Sequence, residues 1–364
     1  MGDTSKLSPF GVEASPIPVG SPTAVADQAT SVRASVAPVG TQKKDQFSTI
    51  RQGTATNALT KLRAVEGQTA TIDPITGEAT ITNGNIILKI PNYEQLTGLK
   101  TSTYQLLDAI TIALTESGAK DPSVVISLGD YMKRRGLKDR KDARKQFTAD
   151  LEVLLKSSLS WEEKRGKETI PIKGINITDS WGWVDKKKTA VVYTFGSTFY
   201  RALLGYKVMP YPAQLQTVNN KRNPNSYYLL RKIAEHKNMN IGKKNEDYIS
   251  VATLLDASPF FPTYAEVMAG NRNIADRIIS PFERDMDALS DTLRWSYCHS
   301  KGEPLTDEEM QNFSYDLFSS LLVKTDWNNY PDQTARLARK AERIEQAKAT
   351  KKKSSSKKKV KTAQ

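Results

Sequence analysis

One stretch of this chain repeats another, without a gap, 123 residues later. Thr103-Tyr104-Gln105-Leu106-Leu107 is answered by Ser226-Tyr227-Tyr228-Leu229-Leu230, Ile110 by Ile233, and Ile126-Ser127-Leu128 by Ile249-Ser250-Val251. A single offset that aligns two helix starts over more than twenty positions points to a duplicated domain. Two copies are too few for a solenoid. The chain therefore has to fold as two related units, and at 364 residues each can bury a core of its own.

Each copy opens with an amphipathic helix. Tyr104, Leu107, Ile110 and Leu114 share one face of the first, and Tyr227, Leu230, Ile233 and Ala234 share one face of the second. Ser127 then precedes a second helix, with Asp130 three residues on to suit the positive end of the helix dipole and Gly136 to stop it. A third helix is expected from about Arg140 to Ser157, with Ala143, Phe147, Leu151 and Leu154 as its apolar stripe. Thr169–Ile172, Ile175–Val184 and Thr189–Phe195 follow as short strands, the last two joined by Asp185-Lys186-Lys187-Lys188. Three helices and then a hairpin is the order of a winged helix. In the second copy Ser250–Ala257 stands for the second helix and Arg272–Ser290 for the third, which Pro281 should bend or restart. The second hairpin pairs Leu293–Tyr297 with a strand within Leu317–Val323.

The expected class is α+β, with two tandem winged-helix domains between a disordered leader and a basic tail. The divisions are a Pro-, Gly- and Ser-containing leader (1–45), a first winged-helix domain with a hairpin around Asp73–Gly77 before it (46–205), a Pro- and Asn-rich linker (206–224), a second winged-helix domain (225–330), and a polar helix with a lysine-rich tail (331–364).

Charge narrows the partner. The formal net charge is +13, and residues 331–364 hold twelve Lys/Arg against three Asp/Glu, or +9. Residues 130–147 hold eight Lys/Arg against three Asp, or +5, so the rest of the body sums to −1. The body thus carries one basic patch, and it falls on the expected third helix, which in a helix-turn-helix enters the major groove. Arg140, Lys141, Arg144 and Lys145 are the candidate DNA contacts there: Arg can read guanine bidentately, and Lys more often neutralises phosphate. Lys186, Lys187 and Lys188 suit a wing on the phosphate backbone, or equally a turn that resists strand aggregation. The second copy offers Asn271, Arg272, Asn273, Arg277 and Arg284, with helix capping as the alternative for the two Asn. Its hairpin loop holds Glu303, Asp307, Glu308 and Glu309, which would repel phosphate and suit a protein partner.

Catalytic constellations are missing from the sequence. His236 and His299 form no paired metal motif, no phosphate loop or zinc spacing is present, and the expectation is a non-enzyme without cofactor or metal. Cys298 alone can form no internal disulfide, which fits a reducing cytosol. No stretch approaches a membrane span. A cytoplasmic protein associated with nucleoid or plasmid is expected.

Tyr104-Gln105-Leu106-Leu107-Asp108 and Asn273-Ile274-Ala275-Asp276-Arg277-Ile278-Ile279-Ser280-Pro281-Phe282 resemble the replication initiator proteins of theta-replicating plasmids, over roughly residues 85–325. That resemblance implies binding to double-stranded origin repeats, local melting and recruitment of host replication proteins, and it leaves room for a homodimer. The acidic second wing and the long leader depart from the family pattern. A winged-helix transcriptional regulator, or a scaffold or partitioning protein that touches DNA through its tail, are the alternative functions.

Overall fold

The computed structural model describes residues 46–60, 62, 70–83, 86–90, 99–165, 168–270, 272–334, 337, 338 and 342. The expected leader, Asn271 and nearly all of the basic tail lie outside them. The described part begins with strand β1 (Phe47–Gln52), helix α1 (Thr54–Thr60) and strands β2 (Ala70–Ile72), β3 (Ala79–Asn83) and β4 (Ile86–Ile90). The β2–β3 hairpin turns where expected. The Asp73 carboxylate accepts from the N–H groups of Ile75 and Thr76 at 2.8 and 3.1 Å, and Gly77 takes a φ of 65°.

The first repeat follows as helix α2 (Thr101–Glu116), strand β5 (Ser123–Ser127), helices α3 (Leu128–Arg135) and α4 (Arg140–Lys156), and strands β6 (Ser158–Arg165), β7 (Glu168–Asn176), β8 (Thr178–Trp183) and β9 (Ala190–Phe195). The helix boundaries are written in the side chains. Ser127 accepts from the Asp130 N–H at 3.3 Å to cap α3, Gly136 ends it at a φ of 64°, and Asp139 accepts from the Asp142 N–H at 2.7 Å to cap α4. Ala143, Phe147, Leu151 and Leu154 are all buried, as their spacing requires. Strands β5, β9 and β8 form an antiparallel sheet in that order.

Two strand expectations are corrected here. The single strand expected over Ile175–Val184 is broken at the buried Ile177, where β7 ends and β8 begins. Strand β6 was not anticipated. Its run Ser158-Leu159-Ser160-Trp161 buries only Leu159 and Trp161 deeply, and it pairs along its length with adjacent β7 and at Ser158–Ser160 with distant β4. The β6–β7 hairpin thereby extends the N-terminal strands into a five-stranded sheet, β2-β3-β4-β6-β7.

The stretch expected as a linker is built into the core instead. After helix α5 (Ser197–Gly205), strand β10 (Lys207–Pro212) pairs antiparallel with β1 from Phe47↔Pro212 to Gln52↔Lys207, and helix α6 (Gln214–Thr217) follows. Met209, Tyr211 and Leu215 are buried. A two-stranded ribbon has edges on both sides, so the missing N–H groups of Pro210 and Pro212 are tolerated.

The second repeat runs as helix α7 (Ser226–Asn240), strand β11 (Tyr248–Ser250), helices α8 (Val251–Leu255) and α9 (Tyr264–Ala269), a π-helical turn (Ala275–Ile279) leading into helix α10 (Ser280–Asp287), strand β12 (Leu293–Cys298), helices α11 (Asp307–Gln311) and α12 (Tyr315–Ser320), and strand β13 (Leu322–Trp327). Its sheet order, β11-β13-β12, is the same as the first repeat's. Equivalent bonds tie each second helix to its sheet: Leu128 N–H to the Thr189 carbonyl at 2.8 Å, and Val251 N–H to the Leu321 carbonyl at 3.0 Å. The Pro281 restart occurs as expected, with the proline in the first turn of α10 where its missing donor costs least. The strand expected within Leu317–Val323 is instead Leu322–Trp327, because Ser314 caps a helix by accepting from the Leu317 N–H at 3.2 Å.

The described residues belong to one compact unit, and the two repeats meet through equivalent positions of their first helices. Tyr104 and Tyr227, 123 apart, stack at 6.4 Å with an interplanar angle of 16°. Asp108 and Arg231, also 123 apart, form a buried ion pair. The Tyr211 and Tyr227 hydroxyls donate to the same Asp108 carboxylate at 2.9 and 2.7 Å. Burial opposes the Arg231 charge, but Asp108 and the two tyrosines outweigh it and hold the guanidinium pKa above its ordinary value.

Candidate nucleic-acid interface

The basic patch is built by the α3–turn–α4 segment. Arg140, Lys141 and Lys145 are exposed on the first turns of α4, and Arg144 is half-buried beside them. These residues sit at the helix end whose dipole and free N–H groups favour an anion. Asp139 and Asp142 occupy the same turn and restrict where a phosphate can approach. Two other arginines of the patch are engaged within the fold. Arg134 lies 3.6 Å from Glu116, and Arg135 donates to the Tyr131 hydroxyl at 3.3 Å with its guanidinium over that ring.

The lysine turn belongs to the same end of the module. Phe147, one turn beyond Arg144, lies 6.1 Å from Trp183, which is two residues before the turn begins. Asp185 organises the turn by accepting from the Thr189 hydroxyl and, at 3.2 Å, from its N–H, and these bonds hold the Asp185 carboxyl below its usual pKa. Lys186 and Lys187 project into solvent. Lys188 takes a φ of 55° and sets its ammonium 5.9 Å from the Trp183 ring centroid. Helix and hairpin thus present two clusters of cations from one rigid support.

The second repeat engages more of its candidate residues within the fold. Arg272 is exposed with a φ of 59°, and its N–H donates to the Val267 carbonyl at 3.0 Å. Asn273 accepts from the Asp276 N–H at 3.2 Å and donates its amide to the Asp276 carboxylate, so it closes the turn that opens the helix. Arg277 is exposed. Arg284 lies against Asp285 at 2.8 Å. From Ala275 to Asp287 the helix carries four acids, Asp276, Glu283, Asp285 and Asp287, against two arginines. Glu283 accepts from the Tyr297 hydroxyl at 3.2 Å and Asp287 from the Trp295 indole at 3.0 Å, so both face the neighbouring strand. Burial, above all, raises the Glu283 carboxyl pKa.

Sequence reading missed a tie that both repeats share. In the first, Asp150 on α4 accepts from Thr103 and Ser102 at the start of α2, at 2.7 and 3.2 Å. In the second, Asp285 on α10 accepts from the Asn225 N–H and its side-chain amide, both at 2.8 Å, at the start of α7. Ser102 and Asn225 are again 123 apart, but Asp150 and Asp285 are 135 apart, so the repeat offset pointed only to the donor side. Asp285 has Arg284 on its other oxygen, whereas the second oxygen of Asp150 is buried without a partner. Burial, above all, raises the Asp150 pKa.

Among the described residues no group of three or more His, Cys, Asp or Glu could hold a metal ion, and no helix is long and apolar enough to cross a membrane. No family model matches the chain, and no curated protein matches it. Solved structures that resemble it include domains 2 and 3 of RctB, at 10% identity and a TM-score of 0.41, covering 76% of this chain and 99% of that one. A second structure of RctB domains 2–3 has 10% identity and a TM-score of 0.40, covering 75% of this chain and 96% of that one. The WH1 domain of MSBI1.176, a replication protein isolated from a multiple sclerosis patient, has 18% identity and a TM-score of 0.23, covering 33% of this chain and 85% of that domain.

Proposed function

We propose that this chain is a sequence-specific double-stranded DNA-binding protein of two tandem winged helices that initiates plasmid or phage replication at origin repeats. The observation that carries the DNA-binding part is the juxtaposition, on one rigid module, of the exposed cations of α4 with the lysine turn between β8 and β9. Helix α4 enters the major groove, with Arg140 and Arg144 at base edges and Lys141 and Lys145 at phosphates, while Lys186 and Lys187 meet the backbone alongside. The second module, whose equivalent helix is net acidic, contacts host replication proteins. No catalytic step is assigned to the chain itself.

Selection of binding sites from a random duplex library tests the reading. A recovered consensus that iterates as direct repeats in DNA flanking the gene supports an initiator. A palindrome beside a promoter would make the protein a transcriptional regulator. Binding without sequence preference, with a salt dependence unchanged by removing the α4 cations, would overturn the groove assignment.

A further inference from the structure

The face of the second module around helices α9, α11 and α12 is aromatic, acidic and open. Tyr264 and Tyr315 stack at 4.7 Å with an interplanar angle of 27°, and Tyr264 is 43% exposed. Met310, on the helix just before Tyr315, is 64% exposed. Burial, above all, raises the Tyr315 hydroxyl pKa, and the charges of Asp256 and Asp316 add to it. From His299 to Leu321 the chain carries Glu303, Asp307, Glu308, Glu309 and Asp316 against Lys301 alone. Asp256, Glu303, Asp307, Glu308 and Asp316 are exposed, and no salt bridge to a described residue neutralises them.

We propose that this face is covered by the chain's own lysine-rich tail, residues 348–361. Charge complementarity is direct: residues 343–364 carry nine Lys/Arg against Glu345. A stacked tyrosine pair on an acidic stretch of chain suits lysine, whose ammonium gains from ring faces and whose methylene stem covers apolar surface. Geometry favours the tail of the same copy. Leu337 packs over Gly242, its Cδ2 3.0 Å from where a Cβ would stand, and Gly302 in the acidic loop packs the same way against the Tyr248 hydroxyl at 3.3 Å. The root of the tail and the start of the acidic loop therefore pack at the two ends of one seven-residue segment, Gly242–Tyr248, whose own Cα span is at most about 20 Å. Lys351 lies fourteen residues beyond Leu337, a reach of up to about 46 Å. A tether of that length gives an effective concentration on the order of millimolar, which a second copy at micromolar concentration does not match.

Zero-length carbodiimide cross-linking of the full chain at micromolar concentration, read by mass spectrometry, tests this without DNA and so independently of the function proposed above. A mixture of isotopically heavy and light copies separates links within a copy from links between copies. The expected result is links from Lys351–Lys361 to Asp256, Asp307, Glu308 or Asp316 within one copy. They should fall at least fivefold in the Glu308→Lys/Asp316→Lys variant, and several-fold in Tyr264→Ala. Links mainly between heavy and light copies would make a second copy the occupant and overturn the proposal. Links that spread over acids elsewhere, or an undiminished yield in the variants, would overturn it as well.

Discussion

The two repeats share a sheet order and a tie between third and first helix, yet their third helices differ in charge. The first opens with exposed Arg140, Lys141 and Lys145 and stands beside a turn of three lysines. The second spends Arg284 on Asp285 and Asn273 on Asp276, and carries a net charge of −2 over Ala275–Asp287, from four acids and two arginines. Duplication kept what the core needs, because buried contacts constrain both copies alike. Exposed positions cost little to change, typically within about 0.5 kcal/mol, so surface chemistry was free to separate. The same contrast appears inside the core at positions 108 and 231. One position carries Asp in the first copy and Arg in the second, and the two meet as a pair.

The largest effect is expected at that junction. Asp108→Asn should destabilise the protein by about 3–5 kcal/mol in urea unfolding, since it strands the Arg231 guanidinium among buried tyrosines. Replacing both partners with apolar residues of similar volume should recover most of the loss. A cost below about 1 kcal/mol for the single change would mean that the ion pair adds little to the junction, which the Tyr104–Tyr227 stack and its neighbours would then hold.

If the proposed DNA binding holds, the charge contrast predicts unequal contributions from the two modules. Arg144→Ala should weaken binding to the selected site by about 1–3 kcal/mol with relaxed preference at one base position, as expected for a bidentate guanine contact. Arg277→Ala should change affinity by less than about 0.5 kcal/mol, measured by titration at fixed salt. Equal losses from the two substitutions would break the comparison and return the second module to the groove.

The smallest effects test the shared tie. Asp285→Asn removes an acceptor of three bonds and should cost about 1–3 kcal/mol. Asp150→Asn should cost nothing at neutral pH. The folded pKa of Asp150 is raised, chiefly by burial, so its favourable contribution exists below the unfolded pKa and is lost as pH rises through the folded one. The wild type should therefore lose stability between acidic and neutral pH at this position, and the Asn variant should flatten that slope. A steeper slope in the variant would show that the hydrogen bonds from Ser102 and Thr103 outweigh desolvation.

Much of the layout was legible because it is local. The cap at Ser127, the stop at Gly136, the stripe from Ala143 to Leu154 and the restart at Pro281 all depend on residues within a turn or two of one another. Strand β6 was not legible. Its apolar positions, Leu159 and Trp161, alternate with serines over only four residues before a charged run, and its pairing beyond the local β7 hairpin is with β4, about seventy residues away. The supposed linker misled for a similar reason: Pro210 and Pro212 read as loop, whereas the pairing of β10 with β1 gives them an edge. At the candidate site, sequence located the α4 cations and the lysine turn. For Asn273 the capping alternative is the one the structure takes, whereas nothing local showed that Arg284 is engaged by Asp285.

What the sequence determined by itself, then, is the duplication, the helix boundaries and the patch of charge, all of which follow from short-range periodicity, capping and counting. Only the tertiary structure decided that the two copies share a core, that Asp108 meets Arg231 there, and which cations remain free for a ligand. Those outcomes depend on the pairing of groups distant in the chain and on their removal from water, where a charge must find its partner or shift its pKa.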